Sequence, residues 1–157
     1  MDEIKVKRDS RMVTPGDVFY DLSESYDKGL QYVKEAIARG AEKVVTVRNY
    51  PIENLEIVSD VRKEFGEACA KEYGYPVRAL KLIGITGTNG KTTCTHIIYE
   101  LLKRSHIKVA RIGTMGIHYE DVDKDYDMTT PDADILQREF YEMKKRGIEC
   151  VVMEVSA

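Results

Sequence analysis

A glycine-rich turn narrows the folds open to this chain more than any other feature. Gly84-Ile-Thr-Gly87-Thr88-Asn89-Gly90-Lys91-Thr92-Thr93 stands between a short apolar stretch, residues 80–85, and an amphipathic stretch, residues 91–104. The order reads as strand, loop, helix. Glycines let the backbone take positive φ and come close to a polyphosphate, so that successive N–H groups converge on its oxygens. The positive end of the following helix adds its dipole. Lys91 is placed to meet β- and γ-phosphate oxygens as a point charge, and the Thr92 hydroxyl is placed to ligate Mg2+. The strict Walker pattern has glycine at the position of Ile85, so this is a variant loop with glycines at 84, 87 and 90. The plainer alternative is a glycine turn with a lysine at the start of a helix.

The surrounding pattern is that of an α/β protein. In the first half, residues 18–22 follow a Pro15-Gly16-Asp17 turn, and residues 43–48 are rich in β-branched side chains. Between them Leu30, Val33 and Ile37 give a helix one apolar face, and Gly40 closes it. A second helix starts at Asp60 as N-cap, carries Val61, Phe65 and Ala68 on one side, and ends at Gly74 before Pro76. Gly66 inside it costs up to about 1 kcal/mol against alanine.

In the second half, Ile97, Ile98, Leu101 and Leu102 are the expected buried stripe of the helix after the loop. Residues 107–112 read as a strand. Residues 132–146 read as a helix with Leu136, Phe140 and Met143 on one face, ended by Gly147. Residues 148–155 form an apolar run suited to a strand covered on both faces. Strand alternating with helix predicts right-handed βαβ units and a parallel sheet. The expected organisation is a small α/β domain at 1–78 and an incomplete parallel-sheet phosphate-loop domain at 79–157. An unfinished sheet leaves a strand edge unpaired, which the sequence places at the final strand. The chain is accordingly expected to be a truncated form.

Composition removes other classes. The chain has 157 residues, with 24 basic and 27 acidic side chains giving a net charge of −3, which speaks against a polyanion-binding surface. The ten tyrosines are scattered and not interleaved with a basic run, so nucleic-acid stacking has no support. No apolar run approaches the roughly 20 residues of a membrane helix, and the N-terminus lacks the order of a secretory signal. Three widely spaced cysteines form neither a disulfide framework nor a zinc site. The expected setting is the cytoplasm.

The loop resembles the ATP loop of the Mur ligases, the ATP-dependent amide-forming enzymes of peptidoglycan precursor synthesis. Folylpolyglutamate and cyanophycin synthetases share that loop. Asp9-Ser-Arg11 with Val13-Thr-Pro-Gly-Asp-Val-Phe19 resembles the uridine-binding N-terminal domain of the tripeptide-forming branch of the Mur ligases. Ile112-Gly-Thr114, Thr129-Thr-Pro-Asp132 and Met153-Glu-Val-Ser156 fit the same branch in order and spacing.

The resemblance implies a ligase that uses ATP and Mg2+ to join UDP-MurNAc-dipeptide to a diamino acid through an acyl phosphate. It implies ATP contacts from Gly87, Thr88, Asn89, Gly90, Lys91, Thr92 and Thr93, with Lys91 catalytic. It also implies Mg2+ ligation by Thr92 and Glu154, and UDP-MurNAc contacts from Ser10, Thr129 and Thr130. The family's second serine after Glu-Val-Ser is Ala157 here, its glycine after Ala-Leu-x is Glu24, and its Gly-His pair is Gly29-Leu30.

Plainer readings stand beside these roles. Ser10 also suits a turn, Arg11 a pair with Asp9, Asp132 a helix cap, and Glu154 a strand-end carboxylate facing water. The acidic stretch 120–127 lacks the glycine and terminal glutamate of a calcium loop and reads as solvated loop. His96, His106 and His118 share no metal-ligand spacing. Cys94, near a helix N-terminus, reads as a small core residue. Two functional alternatives remain: a non-catalytic nucleotide or UDP-sugar binding module derived from a Mur ligase, and an unrelated phosphate-loop NTPase or kinase.

Overall fold

The computed structural model describes residues 4–126 and 128–156. The chain divides into two compact units, Met1–Glu72 and Tyr73–Ala157. The segment ahead of residue 79 thus joins the second unit, where the short 3-10 turn Pro76–Ala79 leads directly into the next strand. No helix among the described residues is long and apolar enough to cross a membrane.

The first unit runs β1 (Val6–Lys7), β2 (Val18–Tyr20), α1 (Tyr26–Ala38), β3 (Lys43–Thr46), β4 (Leu55–Ile57) and α2 (Val61–Glu72). Its four strands pair in parallel in chain order. β1 and β4 are too short to have left a readable alternation in the sequence. The core is built from Val13, Phe19, Val33, Ala36, Val44 and Tyr50.

On α1 the buried face is Gly29, Val33 and Ala36, whereas Ile37 is 41% exposed. Small residues at i and i+7 let the helix lie close to the sheet, and that closeness, rather than the larger side chain, sets its phase. On α2, Cys69 takes the inward place expected of Ala68, continuing the spacing Val61, Phe65, Cys69. Asp60 caps this helix, accepting a hydrogen bond from the Lys63 N–H at 3.0 Å.

The second unit runs β5 (Lys81–Ile85), α3 (Lys91–Arg104), β6 (Val109–Gly113), β7 (Gly116–Tyr119), β8 (Val122–Lys124), α4 (Ala133–Lys145) and β9 (Cys150–Glu154). The strand order is β5-β9-β6-β7-β8. β5, β9 and β6 are parallel, as βαβ connections require, while β7 and β8 add an antiparallel meander, so the sheet is mixed. The acidic stretch is therefore not a plain loop: residues 122–124 are a strand. Asp127, the last of its acidic residues, lies outside the described residues.

The final strand is not the open edge. β9 lies between β5 and β6 with all five residues buried, and β5 and β8 form the edges. The stripe expected on α3 is also displaced: Ile97 is 53% and Leu101 61% exposed, while Thr95 and Tyr99 are buried and Ile98 and Leu102 are half-buried. Tyr99 packs with Val109, Cys150 and Val152, so an aromatic with a polar tip fixes the helix phase. Cys94 is exposed, not core, whereas Cys69 and Cys150 are buried.

Glu139, fully buried on α4, ties that helix to the meander. Lys124 Nζ donates to both of its carboxylate oxygens at 2.8 Å, and the Tyr126 and Tyr119 hydroxyls donate at 3.3 and 3.4 Å. Arg138 Nε lies 3.5 Å away. Lys124→Met removes the main counter-charge of a buried carboxylate and is expected to lower the unfolding free energy by about 2–3 kcal/mol. Pairing it with Glu139→Leu is expected to recover much of the loss, both measured by urea titration.

Tyr119 is pushed up to about 12, first by burial and then by Glu139. An unfolded phenol titrates near 10, so the stabilisation from its neutral form is complete below about pH 10 and disappears as pH rises towards 12. Unfolding midpoints measured across that window are expected to fall less steeply in Tyr119→Phe than in the parent chain.

Candidate functional site

The glycine-rich turn connects β5 to α3 as the sequence predicts. Gly84 is a strand residue paired with Met153, and a Cβ there would meet Val155 Cγ2 at 3.2 Å. Gly87 and Gly90 carry φ of +144° and +79°, backbone that side-chain-bearing residues adopt with strain. Gly90 is the N-cap of α3, and residues 86–90 are exposed. Lys91 Nζ folds back over the turn and donates to Gly87 O at 2.7 Å. Ammonium and turn are thus gathered at the carboxyl end of β5, where parallel sheets present ligands.

Glu154 closes the opposite side. It is the last residue of β9 and is 2% exposed, so it is not the strand-end carboxylate facing water. Thr92 Oγ1 donates to Oε2 at 3.0 Å, Thr114 N donates to Oε1 at 3.0 Å, and Thr114 Oγ1 donates to Oε2 at 3.2 Å. The carboxylate lies against the end of β6, where a Cβ at Gly113 would overlap Oε1 and come within 2.7 Å of Cδ.

Thr129 and Thr130 reach the same place from the segment before α4. The Thr129 and Thr114 hydroxyls lie 3.2 Å apart, and Thr130 Oγ1 donates to Glu154 O at 3.1 Å. Thr130 Oγ1 also accepts the Ser156 N–H at 3.0 Å. Asp132 stands at the N-cap position of α4. Lys91, Thr92, Glu154, Thr129 and Thr130 therefore gather at one edge of the second unit. Thr88, Asn89 and Thr93 are exposed on or beside the turn.

No group of three His, Cys, Asp or Glu side chains fit for a metal occurs among the described residues. The donors at Glu154 are of another kind, one buried carboxylate and one hydroxyl, both hard oxygens. That set fits Mg2+, which is commonly bound by one or two carboxylates and keeps phosphates and water as its other ligands. The carboxylate accepts hydrogen bonds from neutral hydroxyls and a main-chain N–H, so a cation beside it would supply missing charge. Thr92 and Glu154 are the residues able to hold it.

In the first unit, Asp9 caps the turn Ser10–Met12 and pairs with Arg11 through Nε at 2.9 Å and Nη2 at 2.7 Å. Ser10 is buried and donates to Glu35 Oε2 at 2.6 Å.

A second polar centre was not visible in the sequence. Asp21, 1% exposed just after β2, accepts from Tyr50 OH at 2.7 Å and Thr46 Oγ1 at 3.1 Å, and also from Ser23. Arg48 Nη1 donates to Ser23 O at 2.8 Å and lies 3.6 Å from Asp21. Burial, then the Asp21 hydrogen bond, raises the Tyr50 phenol. Gly29 faces this centre so closely that a Cβ would overlap Tyr50 Oη and Ser23 Oγ. Leu30 beside it is half-buried against the core, and Glu24 is exposed.

Gly113 and Thr114 lie in the Ile112-Gly-Thr114 stretch, to which the sequence assigns no separate role. The signal was a Gly-Thr pair ending one parallel strand while a glutamate ends its neighbour. His96 Nδ1 lies 2.8 Å from Arg111 Nη1, and His118 lies 3.6 Å from Asp123, both apart from the Glu154 cluster. Ala157 lies outside the described residues.

The family described as Mur ligase middle domain matches residues 85–157. A UDP-N-acetylmuramoyl-L-alanyl-D-glutamate–2,6-diaminopimelate ligase of Geobacillus thermodenitrificans is 38% identical over 99% of this chain and 32% of its own length. A solved structure of a ligase with that name superposes with a TM-score of 0.80 at 30% identity, covering 96% of this chain and 31% of its own. The MurF ligase of Thermotoga maritima in complex with ADP shares the fold, with a TM-score of 0.51 at 20% identity over 98% of this chain and 33% of its own. The chain spans about a third of the length of the curated relatives it matches. With likeness of this extent running through both units, the chain belongs to the Mur ligase family.

Proposed function

We propose that this chain carries the nucleotide-sugar unit and the ATP loop of a cytoplasmic ligase of peptidoglycan precursor synthesis. The ligase joins UDP-MurNAc-L-Ala-D-Glu to 2,6-diaminopimelate, the substrates named for its relatives. One observation carries the reading: the Thr92 hydroxyl and the buried Glu154 carboxylate meet at 3.0 Å beside a glycine turn capped by Lys91.

The chemistry accounts for those groups. A carboxylate accepts an amine poorly because oxide is a bad leaving group. Its oxygen first takes the γ-phosphoryl of ATP, releasing ADP. The amine then attacks the acyl carbon, loses a proton and displaces phosphate. Two anions must be brought together, so positioning and positive charge do most of the work. Lys91 exchanges its carbonyl partner for phosphate oxygens, and the turn amides hold the phosphate chain. Mg2+ bound at Thr92 and Glu154 supplies further positive charge to the phosphates. Thr129 and Thr130, fixed beside Glu154, face the acceptor substrate. Ser10 and the Asp21 centre belong to the uridine-nucleotide end.

Titration calorimetry with Mg-ATP tests the loop. Lys91→Ala is expected to weaken binding about 10- to 100-fold, the worth of a hydrogen bond to a charged group. Wild-type protein that binds UDP-MurNAc-dipeptide but no magnesium nucleotide would replace this reading with a nucleotide-sugar binding module. Glu154→Gln keeps the shape of the side chain and removes its charge. It is expected to leave nucleotide binding in EDTA unchanged and to abolish the gain in affinity on adding Mg2+, read in the same calorimeter.

A further inference from the structure

We infer that Thr114 is a positioning residue for Mg2+ at this site: it sets the angle of the Glu154 carboxylate and links it to Thr129. The inference rests on reading the glycine turn as a nucleotide site.

The argument begins with the turn that presents Thr114. β6 ends at Gly113, β7 begins at Gly116, and these two glycines pair across the hairpin, so Thr114 and Met115 form the whole connection. Gly116 has φ +77°, and a Cβ there would collide with Lys124 O, which pins the hairpin against β8. Thr114 is itself exposed, so no core packing accounts for it. Its backbone N–H takes one carboxylate oxygen at 3.0 Å and its hydroxyl takes the other at 3.2 Å. Two donors from one residue on a short turn fix the carboxylate plane. Gly113 beneath it leaves room for that plane. Oε2, the oxygen that also receives the Thr92 hydroxyl at 3.0 Å, is thereby held towards α3.

The direction of the hydrogen bonds follows. The Thr114 hydroxyl has one proton and donates it to Glu154, so in its 3.2 Å contact with Thr129 it accepts. Thr129 is therefore the donor, and its oxygen keeps lone pairs for another donor. The chain Thr129 to Thr114 to Glu154 joins the segment expected to face the acceptor substrate to the carboxylate expected to face the metal. A group that orients a metal-binding carboxylate typically contributes 10- to 100-fold to metal affinity.

The test is the Mg2+ dependence of nucleotide binding by the 157-residue chain, measured by calorimetry with ADP in EDTA and at stepped Mg2+ concentrations. Thr114→Val keeps the N–H and the shape but loses the hydroxyl. It is expected to raise the Mg2+ needed for half of the affinity gain by about 10-fold and to leave ADP binding in EDTA within about 2-fold of wild type. Thr114→Ser is expected to restore the wild-type Mg2+ dependence, which a merely structural role for the threonine methyl would not produce. Circular dichroism melts check that each variant is folded, and Thr114→Ala serves if the valine variant is not. Wild-type Mg2+ dependence in the hydroxyl-deleted variant overturns the inference and leaves the nucleotide reading standing. A wild-type chain that takes up no nucleotide overturns both.

Discussion

A single buried carboxylate organises the working edge of the second unit. Glu154 is 2% exposed, and the donors that meet it are neutral. Burying a charge without a counter-charge is costly, and an apolar residue would end β9 more stably. Three elements nonetheless converge on it: α3 through Thr92, the β6–β7 turn through Thr114, and the segment before α4 through Thr130 on its carbonyl. Gly113 gives up a side chain to make room. The contrast with Glu139 in the same unit is instructive, since that equally buried carboxylate has Lys124 on both oxygens and needs nothing further. One glutamate is internally neutralised and holds the fold. The other is left in want of charge at the mouth of the glycine turn.

What could be read from the sequence were features whose requirements are local. The turn was legible because Gly87 and Gly90 stand where the backbone has positive φ. The helix 91–104 and the buried strand ending at Glu154 were legible from periodicity and from a nearly continuous apolar run. The errors arose where side-chain chemistry and burial disagree. The stripe expected at Ile97, Ile98, Leu101 and Leu102 gives way to Thr95 and Tyr99, which are core, and Ile97 and Leu101 are exposed. The strand at 122–124 was hidden among acidic side chains because its half-buried Lys124 is held by its pairing with Glu139, not by apolarity. The meeting of Thr92 with Glu154, 62 residues apart in the chain, could not be had from spacing at all. It follows from β9 entering the sheet between β5 and β6.

The first unit repeats the logic with other residues. Its polar centre lies just beyond β2 and β3, the carboxyl end at which a parallel sheet presents ligands. Gly29 has no room for a side chain, and the structure gives the reason. Tyr50, Ser23 and Asp21 occupy the space a Cβ would need. The neighbouring position had no such restriction, and Leu30 turned to the core. What each of the two positions accommodates therefore follows from the packing around it.

Affinity at the glycine turn is a matter of exchange. Lys91 donates to Gly87 O at 2.7 Å, so a phosphate that recruits the ammonium replaces a neutral acceptor with an anionic one. Only the difference between the two bonds counts towards binding, and charge-assisted bonds are roughly twice as strong as neutral ones. The same holds for the Thr92 hydroxyl, whose proton already has Glu154 as acceptor while its oxygen lone pairs remain for a cation. A hydroxyl that both donates to a carboxylate and ligates a cation ties the two together, so charge at one strengthens the other. The turn alone would thus distinguish weakly among anions. Lys91 and Thr92 open α3 and Glu154 ends β9, so an ammonium, a hydroxyl and a buried carboxylate meet at one end of the sheet, a set that suits a magnesium-bound polyphosphate better than a bare anion.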